Sequence, residues 1–405
     1  MKTGNHLHMG AGIGFFALLT FFLLRGIEAR LSLLEYGQFA AFWALLMGLV
    51  MGFTYPLESF GLALKSRNLN KVEIQNEEIS AIQTAVIPVA TLIILFAPIY
   101  VTLAFGGSWI YSVLLLLCLT SFALIYSSRA RLLNRNQFTG YAGLLGFEGL
   151  LRIAIAIILL TYISNSGISA GVSITVAAIL TAWRAKRIVD LPSFSILLKK
   201  LPFNKAFVRI ILANLATLTI LNISPFLIQI FRNESGLSGK ELNSLTIARI
   251  PIFLGPIIQS YLIPKIQFRT FEQGASNKHF LSKFMVASLF IYLLGILAFG
   301  IFGKSIVEVI YGQNSTALET NFFLIASTSV LYLLFITFQS YFIAQNRINP
   351  IGKAAVFGIF TMFFVLLGPG EIILKTEIAS AAAFTASLSY LGVTTLYRRK
   401  ITSSR

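Results

Sequence analysis

Runs of about twenty largely apolar residues, the length a helix needs to cross the hydrocarbon core of a bilayer, recur along this chain between short polar segments. They predict helices over 9–27, 36–64, 82–105, 109–127, 140–162, 167–183, 206–231, 245–263, 284–302, 321–343, 353–369 and 376–397. The sixth and eleventh are short, and the third and fourth are separated only by Phe105-Gly-Gly-Ser108. An apolar run from Met9 to Leu24 behind a polar start resembles a signal peptide. Arg25-Gly-Ile-Glu28 follows it instead of a small-residue cleavage site, so the run is read as an uncleaved first helix.

Cationic residues orient these spans. With the N-terminus inside, the inner segments hold 23 Lys and Arg, and the outer ones hold 6: Arg25, Arg30, Arg232, Lys240, Lys304 and Lys375. Translocating cationic loops is unfavourable, so this asymmetry predicts N-in and C-in. An odd number of helices would put the tail Arg398-Arg-Lys400 outside.

The longest inner loop, about 184 to 205, lies near the middle of the chain and carries Arg184, Lys186, Arg187, Lys199, Lys200 and Lys205. The fold expected is therefore an all-α integral membrane protein of about twelve helices in two six-helix bundles. Residues 1–190 form the first bundle, 191–205 a basic cytoplasmic linker and 206–405 the second bundle. Asn134-Arg-Asn-Gln-Phe-Thr-Gly140 and Asn346-Arg-Ile-Asn-Pro-Ile-Gly352 occupy the same inner position in each half, a faint internal repeat. Parallel halves place transport sites at their interface.

Composition sharpens the picture. The 405 residues are 56% hydrophobic and only 12% charged, with mean hydropathy +0.81; soluble domains carry roughly a quarter charged residues. The net charge of +17 follows the loops rather than a phosphate-binding face, which argues against nucleic acid. Cys118 lies in an apolar run and has no partner for a disulfide. His6, His8 and His279 have no metal-ligand spacing, so neither metal nor cofactor is expected. Gly303-Lys-Ser305 has Ala298 where a phosphate-binding loop needs glycine. Gly10-Ala-Gly12-Ile-Gly14 lacks the last glycine of a dinucleotide fingerprint and reads as helix packing. The outer segments are too short for a catalytic domain, so an enzyme is not expected.

Ionisable groups inside the spans are the candidate chemistry, because charge at depth is costly and normally faces a cavity or a partner. Glu148 and Arg152, four apart in the fifth helix, share a face and are either a self-neutralising pair or a cavity site. Arg249 in the eighth helix, and Arg25 with Glu28 and Arg30 at the outer end of the first, either line the cavity or snorkel to the interface. Glu58, after Pro56, is an interfacial carboxylate or an ion-coupling group. Asn214, Thr217, Asn222, Pro225 and Gln229 form a polar stripe on helix seven, for helix packing or for a cavity wall.

Several segments resemble the polysaccharide flippases of the O-antigen type, within the multidrug/oligosaccharidyl-lipid/polysaccharide exporter superfamily. They are Leu24-Arg25 through Leu34-Glu-Tyr-Gly37, Glu148-Gly-Leu-Leu-Arg152, Asn243-Ser-Leu-Thr-Ile-Ala-Arg249 and Phe342-Ile-Ala-Gln-Asn-Arg347. The related peptidoglycan-precursor flippases carry more deep cations and extra C-terminal helices.

The resemblance implies an inner-membrane protein that passes a polyprenyl-diphosphate-linked oligosaccharide across the bilayer by alternating access, for surface polysaccharide such as lipopolysaccharide. Arg25, Glu148, Arg152, Asn214, Asn222 and Arg249 would line its cavity. A polysaccharide polymerase or glycosyltransferases would be its partners. The competing reading is a cation-coupled antiporter of drugs or small solutes with the same fold, for which Glu58 is the coupling candidate. The topology is checked by fusing a reporter active only in the periplasm: signal is expected at Gly312 and none at Ser404, and the reverse at either position would overturn it.

Overall fold

The computed structural model describes residues 4–64, 71–189, 204–232, 235–248, 250–253, 278–312, 320–345 and 347–403, with Thr316 and isolated positions between 255 and 266. The described residues are helical, with no strand among them. Helix α1 is Gly4–Glu28. Helix α2 (Leu33–Leu45) runs through a π-helical turn, Leu46–Val50, into α3 (Met51–Thr54) and α4 (Pro56–Leu64). Next come α5 (Lys71–Phe105), α6 (Ile110–Asn134), α7 (Phe138–Tyr162) and α8 (Gly167–Val189). The second half contains α9 (Lys205–Asn222), α10 (Ser224–Arg232), α11 (Ser235–Ala248), a 3-10 turn at Ile250–Phe253, α12 (Lys278–Tyr311), α13 (Phe322–Ala344), α14 (Asn349–Leu366) and α15 (Ile372–Ser403).

Among the described residues, ten stretches are long and apolar enough to cross a bilayer, with α2–α4 counting as one. The pair α9–α10, bent by 58° around Ile223, makes an eleventh. The chain is a multi-pass membrane protein. Large apolar side chains such as Leu95 on α5, Phe290 and Leu297 on α12, and Phe360 and Phe364 on α14 stand exposed. Such a surface is a liability in water and an ordinary contact surface in lipid.

The expected eighth span, 245–263, differs most from the structure. Helix α11 begins at Ser235, on residues that hydropathy assigns to an outer loop, and it is followed by the turn and by helical positions up to Ile266. Glu241, Asn243 and Ser244 are polar, so an apolar window passes over them. Inside the bundle they are buried, because protein groups replace the water they lose: Tyr36 Oη donates to Asn243 Oδ1 at 2.7 Å and Ser224 Oγ to Glu241 Oε1 at 3.1 Å. The expected linker 191–205 lies outside the described residues except for its last two.

The same packing pairs recur in the two halves. In the first, α1 lies on α7, α6 on α8, α7 on α8 and α5 on α6. In the second, α9 lies on α14, α13 on α15, α14 on α15 and α12 on α13. The halves meet where α2 packs on α10 and α11, and where the π-helical turn and α3 pack on α9. Toward the other end of this span, the rings of Phe60 and Phe207 meet at a tilt of 53° with centroids 5.0 Å apart.

Glycine is required at two places. Between α5 and α6 the chain reverses through Gly106 (φ 56°) and Gly107 (φ 87°), a left-handed conformation that disfavours other residues. Helices α1 and α7 touch at Gly12, where an added Cβ would lie 2.5 Å from the Cβ of Ala142 and 2.7 Å from its Cα. Gly10 and Gly14, its companions in the sequence motif, have open space. Gly12→Val should therefore destabilise by about 1–3 kcal/mol through overpacking against backbone, whereas Gly14→Val should change little. Thermal unfolding in detergent checks this, and equal melting temperatures for the two variants would refute the contact.

Candidate functional site: a charged pocket between the two halves

A cavity of about 200 Å³ opens between the halves, walled by α1, α2–α4, α6 and α7 on one side and by α9, α11, the 3-10 turn and α13 on the other. Phe16, Trp43, Met47, Met51 and Leu218 make much of its wall apolar. Glu58, Arg129, Arg152 and the hydroxyls of Tyr55, Tyr126 and Tyr141 make the remainder polar.

Local geometry brings these charges together. Helix α7 places Glu148 and Arg152 one turn apart, and Arg152 Nη2 donates to Glu148 Oε1. Helix α6 extends past the apolar run to Asn134, which carries Arg129 inward until its Nη2 donates to Glu148 Oε2 at 2.7 Å. All three side chains are buried, at 5%, 1% and 1% exposure for Arg129, Glu148 and Arg152. One carboxylate thus holds two guanidinium groups. Aromatic faces supply further contact: Arg129 lies 5.0 Å from the Tyr126 ring centroid, and Arg152 lies 5.2 Å from Phe16 and 5.6 Å from Phe122.

Glu58 lies apart from this triad. Tyr141 Oη donates to its Oε1 at 3.0 Å, and Oε2 has no hydrogen-bond partner. Arg129 Nε, Arg152 Nε and Arg152 Nη1 are also without partners. Buried donors left unmade each cost about 1–3 kcal/mol, more when charged. The three side chains line the cavity, while these particular atoms are themselves enclosed by protein.

Of the residues expected from sequence, Glu58, Arg152 and Asn222 line the cavity, and Glu148 supports Arg152 from behind. Asn222 donates to Leu218 O in its own helix at 2.8 Å. Asn214 is buried, but its Nδ2 donates to Ile210 O at 3.0 Å, and it is not among the cavity residues. Arg25 is not there either: it pairs with Glu28 at the end of α1, half-exposed, with its guanidinium 5.8 Å from the Tyr311 ring. A charge at the end of a helix finds a partner one turn away before it can reach the middle of the bundle. Arg249 lies outside the described residues.

The sequence reading missed Arg129, which it counted with the cytoplasmic loop cations. The available signal is the run Tyr126-Ser-Ser-Arg129, which has no helix breaker and puts Tyr126 and Arg129 three apart on one face. It also missed a polar cluster in the second half. There Ser224 Oγ contacts both Glu241 and Thr376 Oγ1 (2.9 Å), and both carboxylate oxygens of Glu377 accept from Asn321 N at 3.0 Å. Among the described residues no group of His, Cys, Asp and Glu is arranged to hold a metal.

No protein-family model matches the sequence, and no curated protein is similar to it in sequence. Solved structures do resemble its fold. A eukaryotic MATE transporter, AtDTX14, superposes with TM-score 0.64 at 14% identity, over 97% of this chain and 96% of that one. The lipid II flippase MurJ in an inward closed conformation gives 0.62 at 14% identity, over 95% and 87%. An outward-facing multidrug resistance MATE family transporter of the MOP superfamily gives 0.57 at 14% identity, over 98% and 94%. At these identities the likeness shows a shared fold: this chain has the architecture common to MATE transporters and MurJ.

Removing the shared carboxylate should be the most damaging single change at the site. Glu148→Gln leaves two buried guanidinium groups without a counter-charge, a loss of about 3–5 kcal/mol by analogy with broken buried pairs. Glu58→Gln keeps an acceptor for Tyr141 and should cost far less. Accumulation in membranes and melting temperature in detergent check the order, and a Glu148→Gln variant as stable as Glu58→Gln would overturn the triad's role.

Proposed function

We propose that this protein carries an anionic, polyprenyl-diphosphate-linked oligosaccharide across the plasma membrane by alternating access, its two halves rocking about the cavity. The observation that carries this reading is the pair of buried arginines, Arg129 and Arg152, whose side chains line the cavity. A guanidinium offers planar, multiple donors that match phosphate oxygens, and such charge-assisted bonds are strong where water is excluded. The tyrosine hydroxyls and Asn222 supply partners for sugar hydroxyls, while the lipid tail stays in the bilayer. A solved protein of the same fold is described as a lipid II flippase, which supports the substrate class. In this reading the chain alters no bond of its substrate and is not an enzyme. Polysaccharide polymerase and glycosyltransferases are its functional neighbours.

One observation favours a second reading. The cavity is largely apolar and aromatic, and Glu58 is a carboxylate in its wall. Those features suit a cation-coupled antiporter of drugs or small solutes, and a solved protein of the same fold is described as a multidrug resistance MATE family transporter.

Substitution of the arginines by lysine separates a substrate site from a structural one. Arg152→Lys keeps a cation beside Glu148 but loses the planar fork. A lost charge-assisted bond of about 1.5–3 kcal/mol is worth roughly ten- to more than a hundredfold in affinity. Surface polysaccharide in the native host should fall accordingly, with lipid-linked oligosaccharide accumulating on the cytoplasmic leaflet while the protein still inserts. Normal surface polysaccharide after complete deletion, in a strain without a redundant paralogue, would eliminate this reading.

A further inference from the structure

The expected sixth helix ends at 183, which would leave Arg184, Lys186 and Arg187 in the basic loop. Helix α8 instead continues to Val189 and carries all three. Leu180, Arg184 and Arg187 follow one another at helical spacing on an exposed side of α8, with the exposed Trp183 beside them. The apolar part of this stripe meets acyl chains. Its cationic part lies near the end of the helix, at headgroup level on the side that the cationic asymmetry assigns to the cytoplasm.

The two arginines are held in place by aromatic rings. The Arg187 guanidinium lies 3.7 Å from the centre of the Trp183 ring, and that of Arg184 lies 4.1 Å from the centre of Phe147 on the neighbouring α7. A guanidinium over a ring face is attracted to it and keeps its in-plane N–H donors available. Lys186 is exposed next to them. Among the described residues no carboxylate pairs with Arg184, Lys186 or Arg187. The adjacent helix shows the contrast: Arg131, near the end of α6, donates from Nε to Glu78 Oε2 at 2.9 Å. Three cations and two rings are thus gathered without a counter-charge on a face that touches lipid.

We propose that the inner end of the seam between α7 and α8 binds the headgroup of an anionic phospholipid of the phosphatidylglycerol type. Charge complementarity selects the occupant, because the cytoplasmic leaflet is the anionic one and basic pockets between transmembrane helices on that side suit such headgroups. The phosphate diester oxygens accept from the two guanidinium forks, and Lys186 adds a point charge. The acyl chains lie along the exposed Leu180 and Leu150. A zwitterionic lipid brings its own cation beside the phosphate and gains far less. The site is on the outer surface of the bundle: Phe147 belongs to it, while the next residue, Glu148, turns inward to Arg129 and Arg152. The occupant is a bulk membrane lipid, so the inference is independent of what the cavity carries.

Trp183 is a built-in reporter. Of the three tryptophans, Trp43 is buried, and Trp109 and Trp183 are exposed. Trp109→Phe therefore leaves Trp183 as the indole that lipid reaches. The full-length Trp109→Phe protein is placed in vesicles of phosphatidylcholine with phosphatidylglycerol as a minority component, and brominated acyl chains are carried by one lipid or the other. Bromine quenches indole fluorescence only at close range, so the two efficiencies give the lipid ratio at the site. Phosphatidylglycerol should be enriched there about fivefold or more over the bulk, the effect of a single cation near an anionic surface. Arg184→Gln combined with Arg187→Gln should bring the ratio close to the bulk value. Lysine at both positions keeps the charge without the planar forks and should retain only part of the preference.

Quenching in proportion to bulk composition would overturn the site. Undiminished enrichment in the glutamine variant would place the attraction elsewhere and overturn it as well. Full enrichment in the lysine variant would reduce it to diffuse surface charge and overturn the role of the stacked guanidinium groups. Trp109 stands at the other end of the bundle, so the protein with the native α8 decides whether lipid is enriched, however well the other variants fold.

Discussion

A lipid solvent offers no hydrogen bonds, so every polar group inside the bilayer must find its partner within the chain. Much of this structure follows from that constraint. Serine and threonine along the helices turn back to their own backbone, as Thr54 does to Val50 O and Ser127 to Ala123 O. Groups that cannot do so bridge helices, as Tyr36 does to Asn243 and Ser380 to Ile220 O. The charged groups are held most firmly of all: one carboxylate, Glu148, is enclosed by two arginines from two helices. Burying three charges is tolerable only because they are paired, and the loss of Glu148 would strand both arginines.

The same constraint makes the exceptions informative. Where water is absent, an N–H without an acceptor is a standing cost, and a folded protein retains few of them. Here several belong to Arg129 and Arg152, side chains that line one cavity together with Glu58, although the atoms themselves are enclosed. The cavity lies where the two halves meet, so its contents touch both, and a rigid-body motion of one half against the other changes what it faces. The 58° bend around Ile223 and the π-helical turn at Leu46–Val50 lie in the two spans that join the halves, where helix geometry is least regular.

Close packing and open wall alternate around the cavity. Gly12 brings α1 against α7 at van der Waals distance, while a few residues further along α1 Phe16 and Thr20 reach the cavity. Aromatic rings do double duty, sealing the bundle and screening the guanidinium groups. A shift of α1 would move Phe16 off Arg152.

The sequence by itself determined the solvent, the helices and the Glu148–Arg152 pair. A twenty-residue apolar run has one low-energy solution in lipid, and a four-residue spacing puts Glu148 and Arg152 on one face in any helix; both facts are local. Tertiary structure alone decided which polar groups meet. It drew Arg129 from an expected loop into the core, and it made a buried helix of 235–248, because acceptors on distant segments compensate a burial that hydropathy counts as prohibitive. It also left Arg25 and Asn214 away from the cavity, where Glu28 and Ile210 O lie nearer. A side chain's partner depends on residues far along the chain, and a periodic pattern carries no record of them.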